Sequence, residues 1–441
     1  MKLLTASALA LILASSALAQ GKDNDENIHR VFFDTLRTGD VKPLPVGIED
    51  IDYVGTNFVS PEDSALLRYC AGIIRFDIDF YADFELVLVD SFYMKVYEIM
   101  ELDLMGWQRL GATFVVKTEA EFPGEHIRLA YRIFDTGSKR EIYKGRIEDD
   151  RGRWREMSHD IANDIVKALT GDQGPFRSKI TYARKLGKSK EIFIADFDGA
   201  NERQVTRNGS INISPAFSPD GRTVYFTSFL KGDLQLFKAD ITSGKSEQVA
   251  SFPGLIAAPA VSPDGTRIAC VMTKDGNSEL YILDLNGKVV KRLTVHTAID
   301  TSPSWSPDSR LVCFSSDRTG YPQVYIVDTS GQYTYRVTNQ GKYNDSPIWS
   351  KRGDRITFVS RTPSGRFDLA SIDTSGTDYR ILTELGMNEN PHFCDDGKHI
   401  VFASTRLGPQ DIFVMDITGR NQRRITRSGD CSNPVWGPIP K

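Results

Sequence analysis

The chain has 441 residues, and its 54 lysines and arginines against 58 aspartates and glutamates leave a formal net charge of −4. This balance gives no electrostatic reason to expect a nucleic-acid partner. With 40% hydrophobic and 25% charged residues the composition is that of a globular protein of two or three domains, which excludes a largely disordered chain.

The first residues have the pattern of an export signal. Met1-Lys2 is a short basic start, residues 3–14 are mostly apolar, and Ala17-Leu18-Ala19 supplies the small-x-small site of a signal peptidase. The apolar run is too short to span a bilayer comfortably, and no cysteine stands at the cleavage point. We therefore predict a signal peptide over residues 1–19 and an exported mature chain without a membrane span.

Residues 20–45 are polar and weakly patterned, which predicts a flexible N-terminal arm. Residues 46–174 are predicted to form an α/β domain. Its first helix begins at Ser60-Pro61-Glu62-Asp63, because serine caps a helix, proline suits the first position and an acid suits the third. Strands are predicted at 84–89, 112–116, 127–134 and 140–147, a short helix at 102–110, and an amphipathic helix at 154–169.

A repeat of about 44 residues fills the remaining chain, 175–441. Its marker is a proline followed two residues later by a large apolar side chain and then by a Pro-Asp-Gly-type turn. The proline and the apolar residue occur at Pro215, Pro259, Pro303, Pro347, Pro391 and Pro434, and the turn follows the first five of them. Each repeat then shows period-two apolar positions and a short closing strand, usually followed by threonine, which gives four strands per unit and predicts a propeller blade.

The number of repeats predicts how the ring closes. The pattern of the later strands occurs six times, beginning near Phe193, but the first copy has no proline strand of its own. The terminal segment Asn433-Pro434-Val435-Trp436 matches the missing strand. We therefore predict a six-bladed β-propeller of four antiparallel strands per blade, closed by the C-terminal strand, which leaves no open sheet edge.

Signatures of catalysis and of metal binding are absent from the sequence. It contains no GxSxG, GxGxxG or P-loop motif, and its five cysteines and six histidines match no zinc pattern. Asp220, Asp264 and Asp308 recur in identical turns, so we interpret them as turn residues. We expect no enzyme, no cofactor, no metal and no disulfide in the propeller. The alternative is an exported enzyme or a propeller that binds a small ligand, such as a peptide or glycan.

Several segments together resemble the TolB family, the periplasmic components of the Tol–Pal envelope system. They are the SPAFSPDG-type repeats, IADFDGAN from Ile192, NPVWGP from Asn433, GWQRLGATFVV from Gly106 and HDIANDIVKALTG from His159. One departure lies near the start, where 28–50 matches the hydrophobic strand of the family poorly. The resemblance implies a periplasmic scaffold without enzyme activity.

The resemblance also implies partners and a role. The expected partners are the peptidoglycan-associated lipoprotein Pal and, through the N-terminal region, the inner-membrane protein TolA. The expected role lies in outer-membrane integrity and in constriction during cell division. The chain itself is expected to be a monomer.

The partner site is predicted at the channel mouth, where the loops that enter the innermost strands converge. These loops differ between repeats while the surrounding framework recurs, as specific contacts require. We predict a polar, somewhat acidic mouth. The residues assigned to it are Asn212, Ile213, His296, Asp300, Thr301, Asn344, Asp345, Asn388 and Glu389.

Overall fold

The computed structural model describes residues 42–56, 58–88 and 102–440. They form an α/β domain followed by a six-bladed β-propeller, as predicted. The predicted signal peptide and all but the last four residues of the predicted arm lie outside the described residues. Within the described ranges, no helix is long and apolar enough to cross a membrane.

The α/β domain is a five-stranded sheet with helices. In chain order its elements are β1 (Leu44–Tyr53), α1 (Pro61–Phe80), β2 (Phe84–Val87), α2 (Leu104–Arg109), β3 (Phe114–Glu121), β4 (His126–Asp135), β5 (Arg140–Asp150), a 3₁₀ turn (Arg151–Arg153) and α3 (Trp154–Thr170). The sheet order is β2-β1-β3-β4-β5. β1 runs parallel to both of its neighbours, and the other pairs are antiparallel.

The start of α1 follows the predicted cap, since Ser60 Oγ accepts a hydrogen bond from the Asp63 amide at 3.0 Å. β1, in contrast, has no counterpart among the predicted elements. It begins at Leu44, so the last two residues of the predicted arm belong to the sheet. Only residues 44–48 of this strand are continuously apolar, and acidic residues follow at Glu49, Asp50 and Asp52. A register shift between Ile48 and Ile51 further disturbs the period-two pattern.

The propeller strands repeat in groups of four, numbered here from the inside of the ring outwards. Blade 1 is β29 (Cys431–Trp436), β6 (Lys179–Leu186), β7 (Ser189–Asp196) and β8 (Arg203–Gln204). Blade 2 is β9 (Asn212–Phe217), β10 (Thr223–Lys231), β11 (Asp233–Asp240) and β12 (Ser246–Ala250). Blade 3 is β13 (Ile256–Val261), β14 (Arg267–Met272), β15 (Glu279–Asp284) and β16 (Val289–Arg292).

The remaining blades follow the same order. Blade 4 is β17 (Asp300–Trp305), β18 (Leu311–Ser316), β19 (Gln323–Asp328) and β20 (Thr334–Arg336). Blade 5 is β21 (Asn344–Trp349), β22 (Arg355–Arg361), β23 (Phe367–Asp373) and β24 (Arg380–Ile381). Blade 6 is β25 (Asn388–Phe393), β26 (His399–Ser404), β27 (Asp411–Asp416) and β28 (Arg423–Arg424). β29 pairs with β6, so the C-terminal strand closes the ring as predicted.

Every innermost strand has the same bulge at its repeat proline. Two residues, the proline and the one before it, stand opposite a single residue of the second strand. The residue before the proline has a positive φ in all six blades, between 48° and 55°: Ser214, Ala258, Ser302, Ser346, Asn390 and Asn433. Because this conformation is costly for most side chains, its sixfold repetition shows that the bulge is built into the blade.

A glycine in the loop between the third and fourth strands joins each blade to the preceding one. A Cβ atom added to any of these glycines would lie 2.2–2.8 Å from a backbone carbonyl oxygen of the neighbouring blade. The glycines are Gly199, Gly244, Gly287, Gly331, Gly376 and Gly419, and they face Ile425, Val205, Val249, Leu293, Val337 and Leu382 respectively. Glycine is therefore required at this position both for space and for its positive φ.

The α/β domain rests on the propeller at blades 1 and 6. Lys398 contacts Asp83 and Asp172 of the domain, and Arg423 contacts Asp79. An aromatic cluster that includes Phe80 and Trp436 continues the hydrophobic core of the domain into these blades. These contacts place the domain on the side of the ring that carries the Pro-Asp-Gly turns.

Candidate protein-binding face

The ring has two faces, which we name by their loops. The turn face carries the Pro-Asp-Gly turns and the loops between third and fourth strands. The mouth face carries the loops that enter the innermost strands and the hairpins between second and third strands. The hydrogen bonds and ion pairs that join the two domains in the described chain lie on the turn-face side of the ring or in the linker. The mouth face is therefore the side left for a partner.

Four residues predicted to line the mouth are buried instead. Asn212, Asp300, Asn344 and Asn388 are fully inaccessible and are the first residues of their innermost strands, not loop residues. The three asparagines donate hydrogen bonds to the preceding blade, and Asp300 is bonded within its own blade. Asn344 donates to Gln323 at 2.9 Å, and Asp300 accepts two hydrogen bonds from Arg318 at 3.0 Å. These side chains hold the strand entrances in place and offer no surface to a partner.

The side chains that accept hydrogen bonds from these asparagines belong to another repeated feature. The third strand of every blade carries a buried carboxylate or amide at or near its start: Glu191, Gln235, Glu279, Gln323, Asp368 and Asp411. In five blades the threonine after the closing strand donates to it. Thr338, for example, donates to Gln323 at 2.7 Å and accepts the Val324 amide at 2.9 Å. The recurrent threonine of the sequence is thus explained by the satisfaction of buried polar groups.

In five of the six innermost strands the next residue is only half-buried, and this position holds the other predicted residues Ile213, Thr301, Asp345 and Glu389. Asp345 accepts a hydrogen bond from the Tyr343 hydroxyl at 3.0 Å, and Glu389 accepts one from Gln410 at 3.1 Å. His296 is exposed, and its Nδ1 accepts the Ala298 amide at 2.9 Å. These five side chains retain accessible surface at the mouth.

Apolar side chains on the mouth face were missed by the sequence analysis. Four residues before the repeat proline stand Ile211, Leu255, Ile299, Tyr343 and Met387, spaced by 44 residues. Four of the five are exposed, and Phe229, Leu230, Val295, Tyr321, Leu385 and Leu407 add to them. The mouth face is therefore more apolar than predicted. Their recurrence every 44 residues could have predicted them from the sequence.

The central channel is narrow at its prolines. The six prolines and the residues before them line a cavity of about 140 Å³. Pockets that hold small ligands usually measure about 300–1,000 Å³. Within the described residues, no group of three or more histidines, cysteines or acids is placed to hold a metal ion.

The repeated aspartates serve the turns. Asp308 Oδ1 accepts from the Ser306 hydroxyl at 2.6 Å and from the Arg310 amide at 3.1 Å. The hydrogen bond from Ser306 lowers the pKa of Asp308 below its usual value. Asp220 bonds to Ser218 and Arg222 in the same way. Their recurrence is explained by turn geometry.

These features define a class of protein: a six-bladed propeller that carries an α/β domain on one face and an uncovered, partly apolar face on the other. A family described as the TolB beta propeller domain matches residues 166–440. The chain belongs to this TolB family.

Individual relatives agree with this assignment. The chain is 37% identical over 168 residues to a Tol-Pal system protein TolB of Geobacter sulfurreducens, which is 38% of this chain and 39% of that relative. A TolB of Geobacter metallireducens is 40% identical over 124 residues, which is 28% of this chain and 29% of that relative. These alignments thus span less than half the length of either relative. The crystal structure of TolB from Acinetobacter baumannii matches 90% of this chain and 97% of its own, with a TM-score of 0.78 and 25% identity.

Proposed function

We propose that the chain is a periplasmic protein-binding scaffold of the Tol–Pal system and has no enzyme activity. In this role it binds the peptidoglycan-associated lipoprotein on the mouth face. Through its N-terminal region it links to the inner-membrane protein TolA, and it contributes to outer-membrane integrity and to constriction during cell division. The observation that carries the proposal is the mouth face, which the α/β domain leaves uncovered and on which exposed apolar side chains recur at blade spacing.

The partner contacts are assigned to the half-buried position of the innermost strands and its surroundings. Ile213, Thr301, Asp345 and Glu389 line the site, and His296 stands at its rim. The buried Asn212, Asp300, Asn344 and Asn388 act indirectly, because they hold the strand entrances that present these side chains. The narrow channel cavity supports a protein partner over a small ligand.

The experiment is a binding titration of the mature chain with the soluble domain of the peptidoglycan-associated lipoprotein. Replacement of Asp345 and Glu389 together by alanine is expected to weaken binding at least tenfold with little change in melting temperature. A matched double variant on the turn face, Asp220→Ala with Asp308→Ala, is expected to bind normally. Loss of binding by the turn-face variant alone would overturn the assignment of the face. Turnover of an envelope peptide or glycan by the mature chain would instead support an enzyme.

A further inference from the structure

Two neighbouring hairpins rise above the rest of the mouth face. The second and third strands have eight residues each in blade 1 and nine and eight in blade 2, against six each in blades 3, 4 and 6. The extra length lies at the mouth. β6 continues two residues beyond Arg184, the partner of Cys431, and β10 continues three residues beyond Ser228, the partner of Asn212.

The two hairpins are joined by the strand entrance between them. Lys190 and Ile211 form a parallel β-bridge, and the Lys190 amide donates to the Ser210 carbonyl at 3.0 Å. On the other side, the Phe229 amide donates to the Ile211 carbonyl at 3.1 Å. Residues 185–190, 207–211 and 229–233 therefore form one continuous surface, which we name the hairpin surface.

The hairpin surface combines apolar and basic side chains. Leu186, Ile211, Phe229 and Leu230 each expose about two-fifths of their area. Around them stand Lys185, Lys188, Lys190, Arg207 and Lys231. The ion pairs within blades 1 and 2 are Lys179–Asp196, Arg184–Glu202 and Lys238–Glu247, so these five cations have no ion-pair partner in the described chain.

Few carboxylates balance this charge. Asp233 in the blade 2 hairpin and Asp430 before β29 are exposed. Glu191 is buried, and its oxygens accept hydrogen bonds from Thr206, the Gly209 amide and Asn212. The surface thus retains a net positive charge next to accessible apolar area. A partner that supplies both carboxylates and apolar side chains fits it best.

We propose that the hairpin surface is the docking site for an acidic protein segment that also carries apolar side chains. The inference rests on the proposed function, since it names the chemistry of the partner and the two blades that receive it. The apolar side chains are only partly exposed and lie among strands held by backbone hydrogen bonds, which suits packing against a protein better than insertion into a bilayer.

Charge-reversal variants test the surface with the same lipoprotein domain as probe. Lys188→Glu with Lys231→Glu is expected to weaken binding at least tenfold at 50 mM NaCl and less at 300 mM, because salt screens exposed charges. The matched control is Lys245→Glu with Lys288→Glu, two exposed cations in the turn-face loops of blades 2 and 3 without an ion-pair partner in the described chain. This control should change binding less than twofold. The reverse ranking would overturn the inference.

A photo-crosslinker placed at Leu230, with Leu385 of blade 6 as the comparison site, separates the two proposals in living cells. A crosslink from position 230 to an acidic segment of the lipoprotein supports both. A crosslink to an acidic segment of another protein keeps the inference and removes the lipoprotein from the proposed function. Crosslinks formed only from position 385 would overturn the inference, and so would a crosslink from position 230 to a basic segment. A second result would also overturn the inference, in favour of a membrane surface. In it, no protein is crosslinked, the wild-type chain sediments with phosphatidylglycerol vesicles, and the Lys188→Glu, Lys231→Glu variant does not.

Discussion

Phe80 at the end of α1 stacks on the imidazole ring of His399 in blade 6, with ring centroids 4.5 Å apart and ring planes inclined by 20°. The preceding residue, Lys398, is almost fully buried and contacts Asp83 and Asp172 of the α/β domain. Its ammonium group also lies 5.0 Å from the Tyr81 ring centroid. One two-residue segment of the propeller thus contacts the loops that follow α1 and α3.

Replacement of Lys398 by methionine should destabilise the protein by about 2–3 kcal/mol, because it leaves Asp83 and Asp172 without their cation. The cost is below that of a fully buried pair, since Asp172 keeps 43% of its side-chain area exposed. Lys351→Met is the control, because Lys351 pairs with Asp395 at the surface of the same turn face. It should change the free energy of unfolding by less than about 0.5 kcal/mol. Equal effects of both variants in urea denaturation would contradict the prediction.

The Asp77–His159 pair should make the stability of the fold depend on pH in a defined direction. Burial raises the pKa of Asp77 to about 7, although the hydrogen bond and charge of His159 oppose this rise. The folded state therefore holds the Asp77 proton more tightly than the unfolded state. The resulting stabilisation is complete below about pH 4 and is lost as the pH rises through about 7. In urea denaturation, the stability of wild type relative to Asp77→Asn should fall between about pH 4 and pH 7 and then level off.

The Asp396–His399 pair provides a control of opposite sign. Burial alone would raise the pKa of Asp396, but the charge and hydrogen bond of His399 lower it below its usual value. Wild type should therefore lose stability relative to Asp396→Asn as the pH falls below about 4, the usual pKa of an aspartate. A pH-independent difference for both variants would show that neither carboxyl group titrates differently on folding.

Two glycines of blade 3, one in its mouth-face hairpin and one against blade 2, separate the effect of space from the effect of conformation. Gly276 and Gly287 have φ values of 92° and 83°, but a Cβ at Gly276 meets nothing within 4 Å, whereas one at Gly287 would lie 2.2 Å from the Val249 carbonyl oxygen. Gly276→Ala should cost about 1 kcal/mol through backbone strain. Gly287→Ala should cost about 3 kcal/mol, since overpacking adds to the strain. Equal losses of melting temperature would argue against close contact between these blades.

Substitutions of two neighbouring residues of β21 should have different effects on the free energy of unfolding. Asn344→Ala removes the hydrogen bonds to Gln323 and to the Gln340 carbonyl, so it should destabilise the protein by about 1–3 kcal/mol. Asp345→Ala should change the free energy of unfolding by less than about 0.5 kcal/mol, because its side chain is half-buried at the mouth. A larger loss for Asp345→Ala would contradict the distinction between a structural and an accessible position.

The repeat made the propeller predictable from sequence. A 44-residue period shows each strand position up to six times, so weak signals such as the Val224/Phe226 alternation reinforce one another. β1 occurs once and carries Glu49, Asp50 and Asp52. Neither repetition nor apolar periodicity identifies it, and its place between β2 and β3 follows only from the folded sheet.

The candidate site could be predicted only in part. Variation among repeats drew attention to the first residues of the innermost strands, but a variable position can serve either a partner or a neighbouring blade. Asn388 illustrates the second case, since its amide donates to buried Asp368 at 3.0 Å and its carbonyl accepts from Arg406 at 2.8 Å. Such contacts join segments about 20 residues apart across two blades, and no local pattern reports them.

The α/β domain over blades 1 and 6 breaks the rotational symmetry of the ring. Without it, six nearly equivalent blades would offer a partner six nearly equivalent binding positions. With one sector marked by helices, each blade has a fixed angle relative to them. The hairpin of blade 1 lies in this sector and that of blade 2 lies beside it, both on the opposite face of the ring. A protein docked on these hairpins would have a single orientation relative to the helices, even though the propeller itself is almost rotationally symmetric.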